Sequence, residues 1–209
     1  AGGVSALIYA YQMLKDNPGK KAAIVAVESP MSTFQHDDFS MTNMVSAAIF
    51  EDGAACAILG DSDELLPSIV DTEMYHFYDE IGMMGFDVVN SGLKMILDPS
   101  VPEKIENNLM EILRPIFDRN NLELSQLDHF VFHPGGKRIV QIVENEIHPF
   151  GKNIDVTKET LRKYGNMSSA TILYVLNEYL QMDIKKEEKG LMLSFGPGFS
   201  AQQVLLEWK

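Results

Sequence analysis

The chain has 209 residues, a formal net charge of -13 and 45% hydrophobic residues. That length suffices for one sizeable domain, or for one half of a duplicated fold with part of the other, while the acidity argues against nucleic acid and anionic membrane surfaces as partners, since both demand a basic footprint. No apolar run is long enough for a membrane span and no signal-peptide pattern opens the chain, and a lone cysteine, Cys56, excludes an internal disulfide and suits a reducing, cytoplasmic setting.

Val4 to Leu14 predicts a helix with Ala6, Leu7, Ala10, Tyr11 and Leu14 on its apolar side, ended by Asp16-Asn17-Pro18-Gly19. Ala1-Gly2-Gly3 form its first turn, where unpaired N–H groups favour an anion such as a thiolate just upstream. Ala22 to Val27 reads as a continuous apolar strand covered on both faces. Gly19-Lys20 before it lacks the spacing of a phosphate-binding loop. Ser29 to Phe39 is polar and irregular. Within it, His36 beside Asp37-Asp38 has no second ligand at metal-binding spacing and reads as a solvated acidic loop. Met44 to Phe50 and Gly53 to Leu59 make a second apolar block, broken at Glu51-Asp52-Gly53, where an Asp-Gly turn lets the backbone reverse or bulge. In that block Cys56 reads as a small buried thiol without the electropositive, accessible setting a nucleophile needs. The acidic stretch Gly60-Asp61-Ser62-Asp63-Glu64 is the expected boundary, dividing the chain into residues 1–60 and 61–209.

Beyond it, Ile69 to Tyr78 and Gly85 to Val89 predict an antiparallel strand pair, with His76 on a strand face. Ser100-Val101-Pro102-Glu103 has the spacing of a capping box, and Ile105, Leu109, Ile112, Leu113 and Ile116 follow at helical period. Phe130 to Phe132 predict the end of a buried strand, reached from His129, for which the sequence offers no partner. His133 stands where that strand stops, and Pro134-Gly135-Gly136 turns the backbone into a helix whose apolar face is Ile139, Val143 and Ile147. Gly165-Asn166 predicts a turn and Ser168 to Leu180 a helix, with Leu173, Leu176 and Leu180 on one face. After the solvated run Lys185 to Lys189, Gly190 to Phe195 and Val204 to Trp208 predict strands joined by the sharp turn Gly196-Pro197-Gly198.

Two of these positions carry chemistry. An imidazole at a strand end, His133, and a carboxamide at a turn, Asn166, suit a reaction that places negative charge on a carbonyl oxygen, because preorganised N–H donors stabilise an oxyanion or enolate more than the ground-state carbonyl. A histidine can also hold a cysteine partner as its thiolate. Taken singly, either residue has an ordinary role, the histidine closing a turn and the asparagine capping one.

Four segments together resemble the type III polyketide synthases, the chalcone and stilbene synthase family of the thiolase superfamily: Phe50-Glu51-Asp52-Gly53-Ala54-Ala55, His133-Pro134-Gly135-Gly136, Tyr164-Gly165-Asn166-Met167-Ser168-Ser169-Ala170 and Phe195-Gly196-Pro197-Gly198-Phe199. They occur in the family's order along the whole chain. The resemblance implies an α/β fold of thiolase-like layered α-β-α type, present as the C-terminal half plus the end of the N-terminal half. It also implies decarboxylative condensation of malonyl-CoA onto an acyl-CoA starter, with His133 and Asn166 catalytic. The family's nucleophilic cysteine precedes an Ala-Gly-Gly sequence, which places it just upstream of Ala1; the chain is then expected to be the C-terminal part of a longer enzyme and inactive alone.

By the same resemblance Phe34 gates the cavity entrance, and Met95 stands where the family carries a second gatekeeping phenylalanine, which changes the expected cavity shape. Gly135, Gly136 and Arg138 are expected along the coenzyme A tunnel, with the arginine able to meet a phosphate. Phe195, Gly196, Pro197 and Gly198 are expected to shape the cavity floor. No metal or redox cofactor is implied, the CoA thioesters being substrates, and a homodimer is expected. Two other readings remain open: a ketoacyl synthase of type III that condenses once with an acyl carrier protein, and a non-catalytic fragment or dimerising domain.

Overall fold

The computed structural model describes residues 1–209. Its first helix, α1 (Gly2–Lys15), buries Val4, Leu7 and Ile8 and exposes Tyr9 and Met13, the three-four spacing of a one-sided helix, with Lys15 in the last turn where a cation complements the helix dipole. Strand β1 (Ala22–Glu28) pairs antiparallel with β2 (Gly53–Leu59), and α2 (Met41–Ile49) lies between them in sequence. Then come β3 (Pro67–His76), the hairpin β4 (Met84–Val89) with β5 (Gly92–Leu97), and the long α3 (Val101–Asn120). Strand β6 (His129–Phe132), helices α4 (Lys137–Ile147), α5 (Asp155–Tyr164) and α6 (Thr171–Leu180), and strands β7 (Lys189–Gly196) and β8 (Ser200–Trp208) complete the chain.

A four-stranded sheet of order β3-β8-β7-β6 forms the centre, with β6 and β7 parallel and the other neighbours antiparallel. Because side chains alternate across a strand, its two faces feed two separate cores. Leu191, Leu193, Phe195 and Leu205 point toward α3 and α4 and pack with Ile105, Ile112, Ile116, Val143 and Ile147. Met192, Val204, Leu206 and Trp208 point the other way and pack with Val4, Leu7 and Ile8 of α1 and Ile172 and Val175 of α6. The opposite side of the α1–α6 layer receives Ile24 and Ala26 from β1. The architecture is therefore α/β and layered: helices, sheet, helices, small sheet. The second core draws side chains from both sides of the Gly60–Glu64 loop.

Several sequence-based expectations are corrected here. β1 is covered on one face only: Ile24 and Ala26 are buried, whereas Val25 and Val27 are exposed. β2 alternates in the same way, so Cys56 lies on the open face and is exposed, not buried. The run ending at Ile49 is a helix, started by Ser40, whose side chain accepts the Asn43 N–H. β3 pairs with β8, and β4 with β5, so the expected β3–β4 pair does not form. Ser100 makes no capping bond; its hydroxyl donates to Asp98 at 2.5 Å. The Ser168–Leu180 helix is split into a 3-10 turn (Ser168–Ala170) and α6, and α6 buries Ile172, Leu173, Val175 and Tyr179 while Leu180 is exposed. No helix is long and apolar enough to cross a membrane.

Candidate functional site

The parallel strands β6 and β7 end side by side at His133 and Gly196, and the crevice outside the carboxyl ends of such strands is where α/β folds place ligands. Phe130, Val131 and Phe132 are buried on both faces of the sheet and hold β6 rigid. The ladder runs one residue further, His133 N–H donating to Leu193 O at 3.0 Å, and Gly135 N–H donates back to His133 O at 2.9 Å. Thr157 of α5 anchors the same strand end, its hydroxyl donating to Phe132 O at 3.0 Å. The imidazole is thereby fixed at its root, while its ring nitrogens make no hydrogen bond within the chain. Burial pushes its pKa down to about 3, with the Ala1 ammonium charge a second, smaller cause.

Asn166 is held by its backbone. Its N–H donates to Ile49 O at 2.8 Å and its carbonyl accepts Glu51 N–H at 3.0 Å, a bridge that sets it beside Phe50 at the end of α2. Gly165 before it has φ +69, a left-handed conformation open to glycine, and a Cβ there would lie 2.4 Å from Glu51 Cγ. The carboxamide oxygen of Asn166 accepts Ser168 N–H at 3.0 Å. That bond orients the amide, and the NH2 group makes no hydrogen bond within the chain.

The segments that carry the two residues both approach the first turn of α1. Ala1 N–H donates to Phe195 O at 3.2 Å at the end of β7, next to the strand that carries His133. On the other side, a Cβ on Gly3 would lie 2.3 Å from Ser169 O, so only glycine permits the approach between α1 and the turn that follows Asn166. Glu28, at the end of β1, closes the corner: its carboxylate accepts both the N–H and the hydroxyl of Ser169. A buried site with unoccupied N–H donors beside a helix start can stabilise negative charge on a carbonyl oxygen.

The other sequence-derived positions fall as follows. Gly135 and Gly136 form the half-buried turn after His133, and Arg138 lies exposed in the first turn of α4, beside the equally exposed Lys137. Phe195 commits its ring to the core against Phe132 and Phe199, so what it turns toward α1 is its carbonyl. Gly196 is buried against Ala1, whereas Pro197 and Gly198 are exposed. Met95 on β5 receives the Ser46 hydroxyl at its sulfur, 3.0 Å away, and stands opposite Phe86 across the hairpin. Phe34 is 37% exposed and packs edge-on against His36; the phenylalanine whose backbone bridges to Asn166 is Phe50. His129 has partners after all, Glu188 at 2.8 Å and the rings of Tyr179 and Trp208.

Sequence reasoning missed Glu28, Ser169, Lys137 and the bridging role of Phe50. A glutamate ending an apolar strand was the one available signal for the first. One hollow, of about 990 Å³, is an open groove along α1, α6 and β2 that reaches neither His133 nor Asn166. Convergent donors locate this site better than volume does.

Comparison with known proteins bears on this arrangement. Residues 75–208 match the family described as chalcone and stilbene synthases, C-terminal domain. A Bacillus subtilis (strain 168) protein provisionally named a chalcone synthase is 32% identical over 218 residues, covering 100% of this chain and 60% of that protein. The 1,3,6,8-tetrahydroxynaphthalene synthase of Streptomyces peucetius subsp. caesius is 28% identical, covering 99% of this chain and 56% of that protein. Among solved structures, 1,3,6,8-tetrahydroxynaphthalene synthase from Streptomyces coelicolor A3(2), a bacterial type III polyketide synthase, superposes with a TM-score of 0.90 at 25% identity, covering 100% of this chain and 60% of that one. The C-terminal type III polyketide synthase domain of Steely1 from Dictyostelium gives the same TM-score of 0.90, covering 99% of this chain and 59% of that one. The chain thus spans 55–60% of the length of the curated relatives it matches.

Proposed function

Because this chain belongs to the chalcone and stilbene synthases, the type III polyketide synthases with a thiolase-like fold, we propose that the full-length protein condenses malonyl-CoA onto an acyl-CoA starter to build a polyketide. The observation that carries the proposal is that His133 and Asn166, on two segments that approach the first turn of α1, are buried with the imidazole and the NH2 group making no hydrogen bond within the chain.

The nucleophile of the proposal is a cysteine about two residues before Ala1, at the start of α1, where the unpaired N–H groups of the first turn favour a thiolate. It attacks the starter thioester, forms the acyl-enzyme and releases coenzyme A. Malonyl-CoA follows. Its C2–carboxylate bond breaks, CO2 leaves, and the electron pair moves onto the thioester oxygen, where the His133 N–H and the Asn166 NH2 stabilise the enolate. The enolate carbon then attacks the acyl thioester and expels the cysteine thiolate. A neutral imidazole suits this work, since it donates without needing a counter-charge beforehand. Burial favours that neutral form, while a neighbouring thiolate acts in the opposite direction.

Gly135, Gly136 and Arg138 belong to the coenzyme A path in this proposal. Lys137 and Arg138 form no ion pair in the chain, and two cations at the positive end of a helix are better explained by phosphate than by the helix itself. Phe34 and Met95 at the entrance, and Phe195 to Gly198 at the floor, shape the space for the growing chain. A homodimer in the cytoplasm completes the proposal; the acidic, single-cysteine composition is compatible with that compartment.

The test is to supply the full-length protein with malonyl-CoA alone. Triketide or tetraketide pyrones support iterative condensation from CoA thioesters. Strict dependence on an acyl carrier protein would support the single-condensation ketoacyl synthase instead, and no condensation under either regime would favour a non-catalytic role.

A further inference from the structure

Glu28 is the last residue of β1, opposite Gly53 of β2; its carboxylate hydrogen-bonds one residue, Ser169, and its charge also acts on the Ala1 amine. One oxygen, Oε1, accepts both the backbone N–H of Ser169, at 3.3 Å, and the Ser169 hydroxyl. Ser169 follows Ser168, which has φ 52. A non-glycine residue in that left-handed conformation is strained and persists only where its surroundings enforce it. The strained residue is also the one that orients Asn166, since Ser168 N–H is the donor to Asn166 Oδ1. Glu28, Ser169, Ser168 and the Asn166 carboxamide oxygen thus form one continuous chain of contacts.

Thr171 N–H also donates to Ser168 O, and Gly2 and Gly3 of α1 pack against Ser169, but Glu28 is the only side chain that hydrogen-bonds Ser169. Met167 N–H donates to Thr171 Oγ1 at 2.7 Å and Ala170 N–H to Met167 O at 3.2 Å. Both hold the ends of the turn and neither touches Ser168 or Ser169. A carboxylate is the suitable clamp because two converging donors gain most from an ionised acceptor.

We propose that Glu28 is a positioning residue for Asn166, acting through Ser169 and Ser168 to aim the carboxamide donors into the site. The proposal rests on the polyketide reading for its kinetic consequence and on geometry alone for its structural one, and the two can be tested separately.

In the full-length protein, two half-reactions divide the roles: decarboxylation of malonyl-CoA draws on Asn166, whereas loading of the starter draws on the nucleophile and His133. Glu28→Ala should lower kcat for decarboxylation by about tenfold or more with KM little changed, and leave the single-turnover loading rate within about twofold of wild type. Glu28→Gln keeps an oxygen able to accept both bonds and should recover most of the lost rate, while Glu28→Asp keeps the charge, falls short of Ser169 and should behave as the alanine variant does. Wild-type decarboxylation by Glu28→Ala, or equal loss of both half-reactions, would overturn the proposal. If the wild-type protein does not decarboxylate malonyl-CoA, the polyketide reading fails. The positioning claim is then decided in the 209-residue chain, where the two Asn166 side-chain NH2 resonances should keep their wild-type shifts in Glu28→Gln and move to those of a solvent-exposed asparagine amide in Glu28→Ala. Unchanged resonances in Glu28→Ala would overturn it there.

Discussion

The side-chain oxygen of Asn166 accepts the backbone N–H of Ser168 at 3.0 Å, while the backbone of the same asparagine is tied to Ile49 and Glu51. Anchoring is thus done by the main chain and the acceptor oxygen, and the donors are left for a ligand. Asn166→Asp should fold normally yet lose malonyl-CoA decarboxylation in the full-length protein by about 10²–10³-fold, because it presents a carboxylate where an enolate forms. Carbon dioxide release and a thermal melt measured together check both halves of this expectation.

His133 should remain neutral through the mildly acidic range in the folded 209-residue chain, since burial holds its pKa near about 3 against an ordinary 6.5. The unfolded chain takes up this proton below 6.5 and the folded one does not. The contribution to stability is therefore complete above that pH, is lost as pH falls at roughly 1 kcal/mol per pH unit, and levels off near about 3. The ring's NMR titration reads the folded pKa directly. Acetylating the Ala1 amine removes the second cause of the shift and should move the midpoint upward.

Gly3→Ala should destabilise the chain by about 1–3 kcal/mol, because the added methyl meets a backbone oxygen, Ser169 O, at 2.3 Å and Ile172 Cγ2 at 2.8 Å in a packed corner. Gly85→Ala is the control, since nothing lies within 4 Å of its Cβ position. Urea midpoints for the two variants should separate clearly.

Met95→Phe should change the lengths of the products made by the full-length protein while leaving decarboxylation within a few-fold of wild type. The residue touches Ser46 and faces Phe86 but makes no hydrogen bond to His133 or Asn166. Mass spectrometry of the product mixture checks the first part and carbon dioxide release the second.

How much of this was legible beforehand depends on the range of the interaction. His133 and Asn166 could be located because each is punctuated locally, by Pro-Gly-Gly and by Gly-Asn, and β6 and α4 could be read because their apolar periods are unambiguous. The partner of β3 could not be read: alternation shows which face is covered, not which distant strand lies alongside. Met44 to Ile49 is too short for its period to separate helix from strand. Val25, Val27 and Cys56 looked buried because an all-apolar run hides which of its faces is covered. Glu28 looked like an ordinary strand-end charge, and only the fold brings Ser169 to it.

The central claim is that one imidazole and one carboxamide receive the same thioester oxygen. A crystal structure of the full-length protein bound to a non-decarboxylating malonyl-thioester analogue tests this most directly. The account predicts that oxygen within about 2.7–3.1 Å of both a His133 ring nitrogen and Asn166 Nδ2. An analogue bound with its thioester oxygen touching neither group, or only one of them, would contradict it.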